Sequence, residues 1–250
     1  MSSRVTNLAE LAGSGVLSGA TARQRTLPVL DAFAELLPQA VLQRGSVVGC
    51  EGAAAVSLGL ALAAGPSQAG AWVGIAGLPE MGLAAAVELG VAPERLVMVA
   101  EPAQRFDDAR WAEVLAAMID GFDVLVVGGA ALEVRAATAR RLLARLQSRG
   151  AVLVTVAAPG VAAAGPFGAD LRFAAAAAAW QGLGAGHGVA RCRQVDVQLT
   201  GRRVHRPRRC ELWLPGPDGT AEAVSPAVSS GAGPSLVDTS LVDTSLQRTG

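Results

Sequence analysis

Five short apolar runs constrain the fold of this chain more than any other feature. They are Ser46–Gly49, Ala71–Ala76, Leu96–Ala100, Val124–Val127 and Ala151–Ala157. A strand with one wet face alternates apolar and polar residues, whereas a strand buried on both faces reads as a continuous apolar run. Between the runs lie stretches with helical character: alanine-rich Gly52–Ala64, then Glu80–Leu89, amphipathic Trp111–Ile119, and Ala136–Gln147 with arginines on its outer face. The alternation predicts an α/β domain whose mostly parallel sheet is covered by helices on both sides.

The flanks read differently. Leu27–Leu42 has apolar positions at Leu30, Phe33, Leu36 and Leu37, which predicts a helix stopped by Pro38. Ala174–Ala179 is an unbroken alanine run and predicts a tightly packed turn of helix. Gln194–Thr200 and Cys210–Leu214 alternate with period two and predict antiparallel strands at the sheet edge. Residues 1–26 are small and polar, a flexible N-terminal arm ahead of a core spanning 27–215. From Gly216 to Gly250 the chain is Pro, Gly, Ser and Ala with little apolar content, which predicts a disordered tail. Within that tail the pentapeptide SLVDT occurs twice, at Ser235–Thr239 and Ser240–Thr244, either as a docking peptide or as a replication slip.

Composition excludes several classes. All 21 basic residues are arginine and 21 acidic residues balance them, so net charge does not steer the chain to nucleic acid or to a membrane. The three cysteines, Cys50, Cys192 and Cys210, include no C-x-x-C pair, which argues against a disulfide scaffold and a zinc site and suits a reducing cytosol. No stretch has the roughly 20 unbroken apolar residues that a spanning helix needs, and the first residues lack the apolar stretch of a signal peptide. The expected location is cytoplasmic, with association to the nucleoid left open.

The turn at Arg44–Leu58, RGSVVGCEGAAAVSL, carries the most chemical information. A strand enters a tight turn and then a helix, the frame in which G-x-x-x-x-G-K-[ST] cradles phosphates on backbone N–H groups, with lysine on the β/γ-phosphates and the hydroxyl on Mg²⁺. Here Gly49 is followed four residues later by Ala54, Ala55 and Val56, and Ser57 comes one place too late. The glycine, the lysine and the hydroxyl are all replaced, and the chain has no lysine anywhere to substitute. Gly49, Gly52 and Ala54 also lack the acidic residue, about 20 positions on, that a dinucleotide site requires, because Ala71–Gly77 supplies none. A Gly/Ala turn that lets helix and strand pack closely is the favoured reading of Gly52.

The order of blocks resembles the RecA superfamily. VLDAFAELLPQAVLQRGSVVG (Val29–Gly49) is similar to the approach to the RecA phosphate loop, AAAVELGVAPERLVMVAEP (Ala84–Pro102) to the stretch after its second strand, and FDVLVVGGAALEV (Phe122–Val134) to its Walker B strand. The resemblance covers roughly Leu27–Leu214 and implies a RecA-like core. It also marks departures: Gly128 stands where the family has the Walker B aspartate, and Leu78 near the catalytic glutamate, with Glu80 two residues away. Both DNA-binding loops are shortened, the first between Gly128 and Ala136, the second to Pro159–Gly168. Such a degenerate domain looks most like the ImuA-type proteins, in their actinobacterial variant. That resemblance implies a non-catalytic adaptor without cofactor, working in the DNA-damage (SOS) response with a Y-family-polymerase-like ImuB protein and an error-prone polymerase in translesion synthesis. Contacts to DNA and self-association are left open. The alternative is a small-molecule or nucleotide-binding enzyme on a doubly wound fold.

The remaining polar groups add one candidate surface. Arg191, Arg193, Arg202, Arg203, Arg206, Arg208 and Arg209 form the only charge cluster, five of them within Gly201–Arg209, and are candidates for contact with phosphates or an acidic partner; the bland alternative is a solvated hairpin. His187 and His205 have no carboxylate or cysteine at ligand spacing, and no nucleophile-elbow frame is present. Asp107 and Asp108 read as a helix cap ahead of Trp111 rather than as an acid/base pair.

Overall fold

The computed structural model describes residues 25–100, 105–157, 161, 164–183, 188–202 and 204–224. Strands β1 (Thr26–Pro28) and β2 (Val41–Gln43) pair antiparallel as a small separate sheet. The main sheet contains β3 (Val47–Gly52), β4 (Val73–Ala76), β5 (Leu96–Val99), β6 (Val124–Gly128), β7 (Val152–Val156), β8 (Leu171–Leu183), β9 (Gly188–Gly201), β10 (Arg208–Trp213) and β11 (Glu222–Ala223). Its order is β11-β10-β9-β8-β3-β7-β6-β4-β5. The six strands from β8 to β5 run parallel, while β9, β10 and β11 run antiparallel at the C-terminal edge. This is the α/β architecture that the alternation predicts.

Two apolar layers explain it. Helix α1 (Ala55–Gln68) is buried nearly all round, packs on one face of β3, β6, β7 and β8, and brings Leu58, Leu60 and Leu62 into the larger core. It approaches so closely that a Cβ on Gly59 would lie 2.9 Å from a Val156 methyl group. On the opposite face, α3 (Asp108–Gly121) and α4 (Ala136–Arg149) bury Trp111, Leu115, Leu142 and Leu146 against β6 and β7. The short α2 (Leu83–Glu88) contributes only Ala86 to the core. Asp107 caps α3, accepting the Arg110 N–H at 2.8 Å, while the Asp108 carboxylate receives the Arg135 N–H at 2.7 Å.

Three expectations are corrected. Leu27–Leu42 is not a helix: β1, two 3₁₀ turns and β2 cover it. Phe33, Leu36 and Leu37 are buried as their spacing suggests, but only nine residues separate Pro28 from Pro38, and Gln39 (φ 65°) and Ala40 (φ 49°) are left-handed. A stretch that short does not offset the nucleation cost of a helix, whereas β1–β2 pairing folds it over the core with Phe33 edge-on to Phe173. Ala174–Ala179 is not helical either but lies within β8, with Ala174 and Ala175 paired to both β3 and β9 and Ala178 and Ala179 to β9. Alanine is a weak strand former, and the open ladders of two neighbours override its preference. Finally, order does not stop at Gly216: Glu222 and Ala223 pair with Trp213 and Leu212, and Ala221 is buried. Residues 1–24 of the arm and residues 225–250, with both SLVDT copies, lie outside the described residues, as do Arg203 and His187.

Candidate functional site

The carboxyl ends of the parallel strands are where an α/β sheet of this kind would hold a ligand. Here β3 continues as a paired strand through Glu51 and Gly52, opposite Ala174 and Ala175 of β8. Only Ala53 and Ala54 separate it from α1, so no loop remains to wrap a phosphate. Gly52 is left-handed (φ +93°), and a Cβ there would collide with the Ala175 carbonyl oxygen. Its glycine serves strand packing. Ala54 and Ala55, in the positions of the second glycine and the lysine, are buried, and Val56 faces outward.

The other two departures meet one another. Gly77 (φ +69°) ends β4 against the Gly128 carbonyl oxygen, with no space for a side chain. A Cβ on Gly128 would overlap the Leu78 side chain, and one on Gly129 would lie 2.7 Å from the Gly77 carbonyl oxygen. Gly128 and Leu78, which the RecA resemblance would align with the Walker B aspartate and the catalytic glutamate, are thus packed into each other, and Glu80 points to solvent. Gly129–Leu132, where the RecA resemblance would put a DNA-binding loop, is a single 3₁₀ turn; of Pro159–Gly168, residues 159, 160, 162 and 163 lie outside the described residues.

The candidate arginines are not one cluster. Most of β9 (Gly188–Gly201) lies between them, so Arg191 and Arg202 stand roughly 35 Å apart at about 3.3 Å per residue. Arg193 is buried: its Nε donates to the Leu214 carbonyl (2.9 Å), its Nη2 to Ser57 Oγ (2.7 Å), and its guanidinium stacks on Trp180. Burial pushes its pKa below the ordinary arginine value. This side chain ties β10 to the first turn of α1 and is not part of a surface patch. Arg191, Arg202, Arg206, Arg208 and Arg209 are exposed.

At the amino ends of the parallel strands lies a cleft of about 900 Å³. The β1–β2 sheet forms one wall, the β9–β10 link the other, and its floor includes Leu37, Leu171 and Leu199. Arg44, Arg206 and Arg208 stand around it. Arg44 is held by Asp123 (2.9 Å) and the Gly150 carbonyl (3.2 Å). Arg208 reaches the Glu35 and Leu36 carbonyls only at 3.5 Å, too long to satisfy its guanidinium. Asp170, the one carboxylate lining the cleft, already accepts the Val47 N–H at 2.9 Å. His205 lines the cleft as well, while Arg209 pairs with Gln198 and points to the other face of the sheet. Sequence reasoning finds Arg206 and Arg208 but misses Arg44 and Asp170, which no local pattern links to them. Among the described residues, no group of three or more His, Cys, Asp or Glu side chains could hold a metal ion, and no helix is long and apolar enough to cross a membrane.

Residues 35–162 match the MT3502 N-terminal domain family. The chain belongs to that family. The matched region runs from the loop before β2 to just beyond β7, so all three packed-in positions, Gly52, Leu78 and Gly128, fall inside the MT3502 N-terminal domain, whereas the β9–β10 arginines follow it. The chain is also 38% identical over 98 residues to the uncharacterized protein Rv3395c of Mycobacterium tuberculosis. That alignment covers 39% of this chain and 46% of the relative, so the chain spans about half the length of the protein it matches.

Proposed function

We propose that the chain is a non-catalytic adaptor of the ImuA type: a RecA-like domain that acts by protein contact in damage-induced translesion synthesis. Its partners in this reading are an ImuB-like, Y-family-polymerase-like protein and an error-prone polymerase, in the cytoplasm and at the nucleoid. One observation carries the reading. The strand-to-helix turn at Gly52 and the strand ends at Leu78 and Gly128, where a RecA-type enzyme would hold phosphate, general base and metal ligand, are filled by the chain's own backbone and a leucine side chain. A frame that keeps its strands while closing its nucleotide site is retained for its surfaces.

The exposed Arg202, Arg206, Arg208 and Arg209 supply charge for phosphates or an acidic partner face. Few aromatics accompany them, which favours backbone contacts over base stacking. The alternative of an enzyme binding a nucleotide at the Gly49 turn draws no support from the cleft, which opens at the opposite end of the sheet from the place where doubly wound enzymes bind ligands.

Affinity capture of the full chain from DNA-damaged cells tests the reading. Recovery of a polymerase-related protein is expected; its absence would overturn the proposal. Calorimetry should show no heat with ATP and Mg²⁺, and micromolar binding would reopen the enzymatic alternative.

A further inference from the structure

The cleft has a cationic rim, an apolar floor and only one carboxylate, which is already engaged. Its complement is a short chain carrying apolar side chains beside carboxylates. A segment of that chemistry occurs in this same chain: Leu236-Val237-Asp238, repeated as Leu241-Val242-Asp243.

The direction of the chain connects the two. β10 starts at the cleft with Arg208 and runs away from it to Trp213. β11 is antiparallel to it, Glu222 opposite Trp213 and Ala223 opposite Leu212, and the Val224 N–H donates to the Glu211 carbonyl at 2.9 Å. The chain therefore leaves Val224 heading back along β10 towards Arg208. β11 covers only the far half of β10, so the outer edge of Arg208–Cys210 is unpaired among the described residues. From the position opposite Glu211 to Arg208 is three residues, about 10 Å. Ser235 follows Val224 by eleven residues, an extended reach of roughly 36 Å, so both copies can arrive at the cleft with slack. A tether of this length holds the segment at a millimolar-order local concentration, so even weak docking would be populated.

We propose that the cleft is the docking site for the Leu-Val-Asp segments of the same chain. The leucine and valine side chains lie against the partly exposed Val41, Leu171 and Val204, and Asp238 or Asp243 faces Arg206 and Arg208. The proposal stands independently of the adaptor reading.

Hydrogen exchange on the full chain tests it. Amides of the Leu-Val-Asp copy that occupies the cleft should exchange more slowly than free-chain rates, by at least about twofold, the limit for two copies sharing one cleft equally. The protection should be lost in Arg206→Glu/Arg208→Glu and, separately, in Asp238→Arg/Asp243→Arg. Combining the two pairs should restore it, because the charges are exchanged rather than removed. Unchanged protection of β6 and β7 in each variant controls for folding. Free-chain exchange in the parent protein, or protection indifferent to both reversals, would overturn the proposal. So would protection that fades on a roughly hundredfold dilution, which would assign the segment to a second copy.

Discussion

The two ends of the parallel sheet have opposite characters, although the same strands build both. At the carboxyl end, β3 and β6 finish in Gly52 and Gly128 and β4 is followed by Gly77, and the missing side chains of these glycines are filled by neighbouring backbone or by Leu78. At the amino end, the strands start beneath a cleft of about 900 Å³ whose arginines retain unused hydrogen-bonding capacity. The first end is tightly packed and intolerant of additions; the second is open and tolerant of change.

If this contrast is right, adding a carboxylate at the closed end should cost the most. Gly128→Asp places a side chain on Leu78 and leaves a charge in an apolar site; unfolding by denaturant should show a loss of about 4 kcal/mol or more, without any gain of ATP binding. A stable variant that bound ATP would show the site to be merely dormant. Gly52→Ala should cost about 3 kcal/mol, from its left-handed backbone and the Ala175 carbonyl, read by the same denaturation experiment. Arg193→Ala removes two hydrogen bonds and the stack on Trp180, for a loss of about 2 kcal/mol, visible also as a change in tryptophan fluorescence.

At the open end, Arg206→Ala should leave stability within about 0.5 kcal/mol of the parent, since its side chain is exposed; a large loss would mean that the cleft is structural rather than a binding surface. The smallest effect is expected away from both ends. Arg145, then Arg149, hydrogen-bond the Asp120 carboxylate and hold its pKa at about 2, below its ordinary 3.8. A lowered carboxylate stabilises the fold above the unfolded pKa and loses that contribution as pH falls from 3.8 towards 2. Asp120→Asn should flatten the stability profile across that window, and added salt should mimic the change because these side chains are partly exposed.

Much of the framework is legible from local pattern. The strands β3, β4, β6 and β7 announce themselves as apolar runs, α3 by its periodicity and its Asp107 cap, and the antiparallel edge by alternation in Gln194–Thr200, whereas the apolar run of β5 is an edge strand with Val97 and Met98 exposed. These signals are short-range: side-chain period and capping act within a turn or two of chain. The absence of lysine and the replacements at Ala54, Ala55, Leu78 and Gly128 are likewise visible in the residues.

What fills the carboxyl end of the sheet is not visible there. Gly77, Leu78 and Gly128 block one another only because β4 and β6 lie side by side, and Gly52 is confined only because β8 joins β3. The same long-range pairing makes a strand of Ala174–Ala179 against its propensity, and sets Arg193 beneath Trp180 while Arg206 and Arg208 line a cleft. Composition and periodicity determine which segments become strands and helices, because those preferences are carried within each segment. Tertiary structure alone decides which glycine faces which carbonyl and which arginine stays in water, because those contacts depend on the order in which the strands assemble.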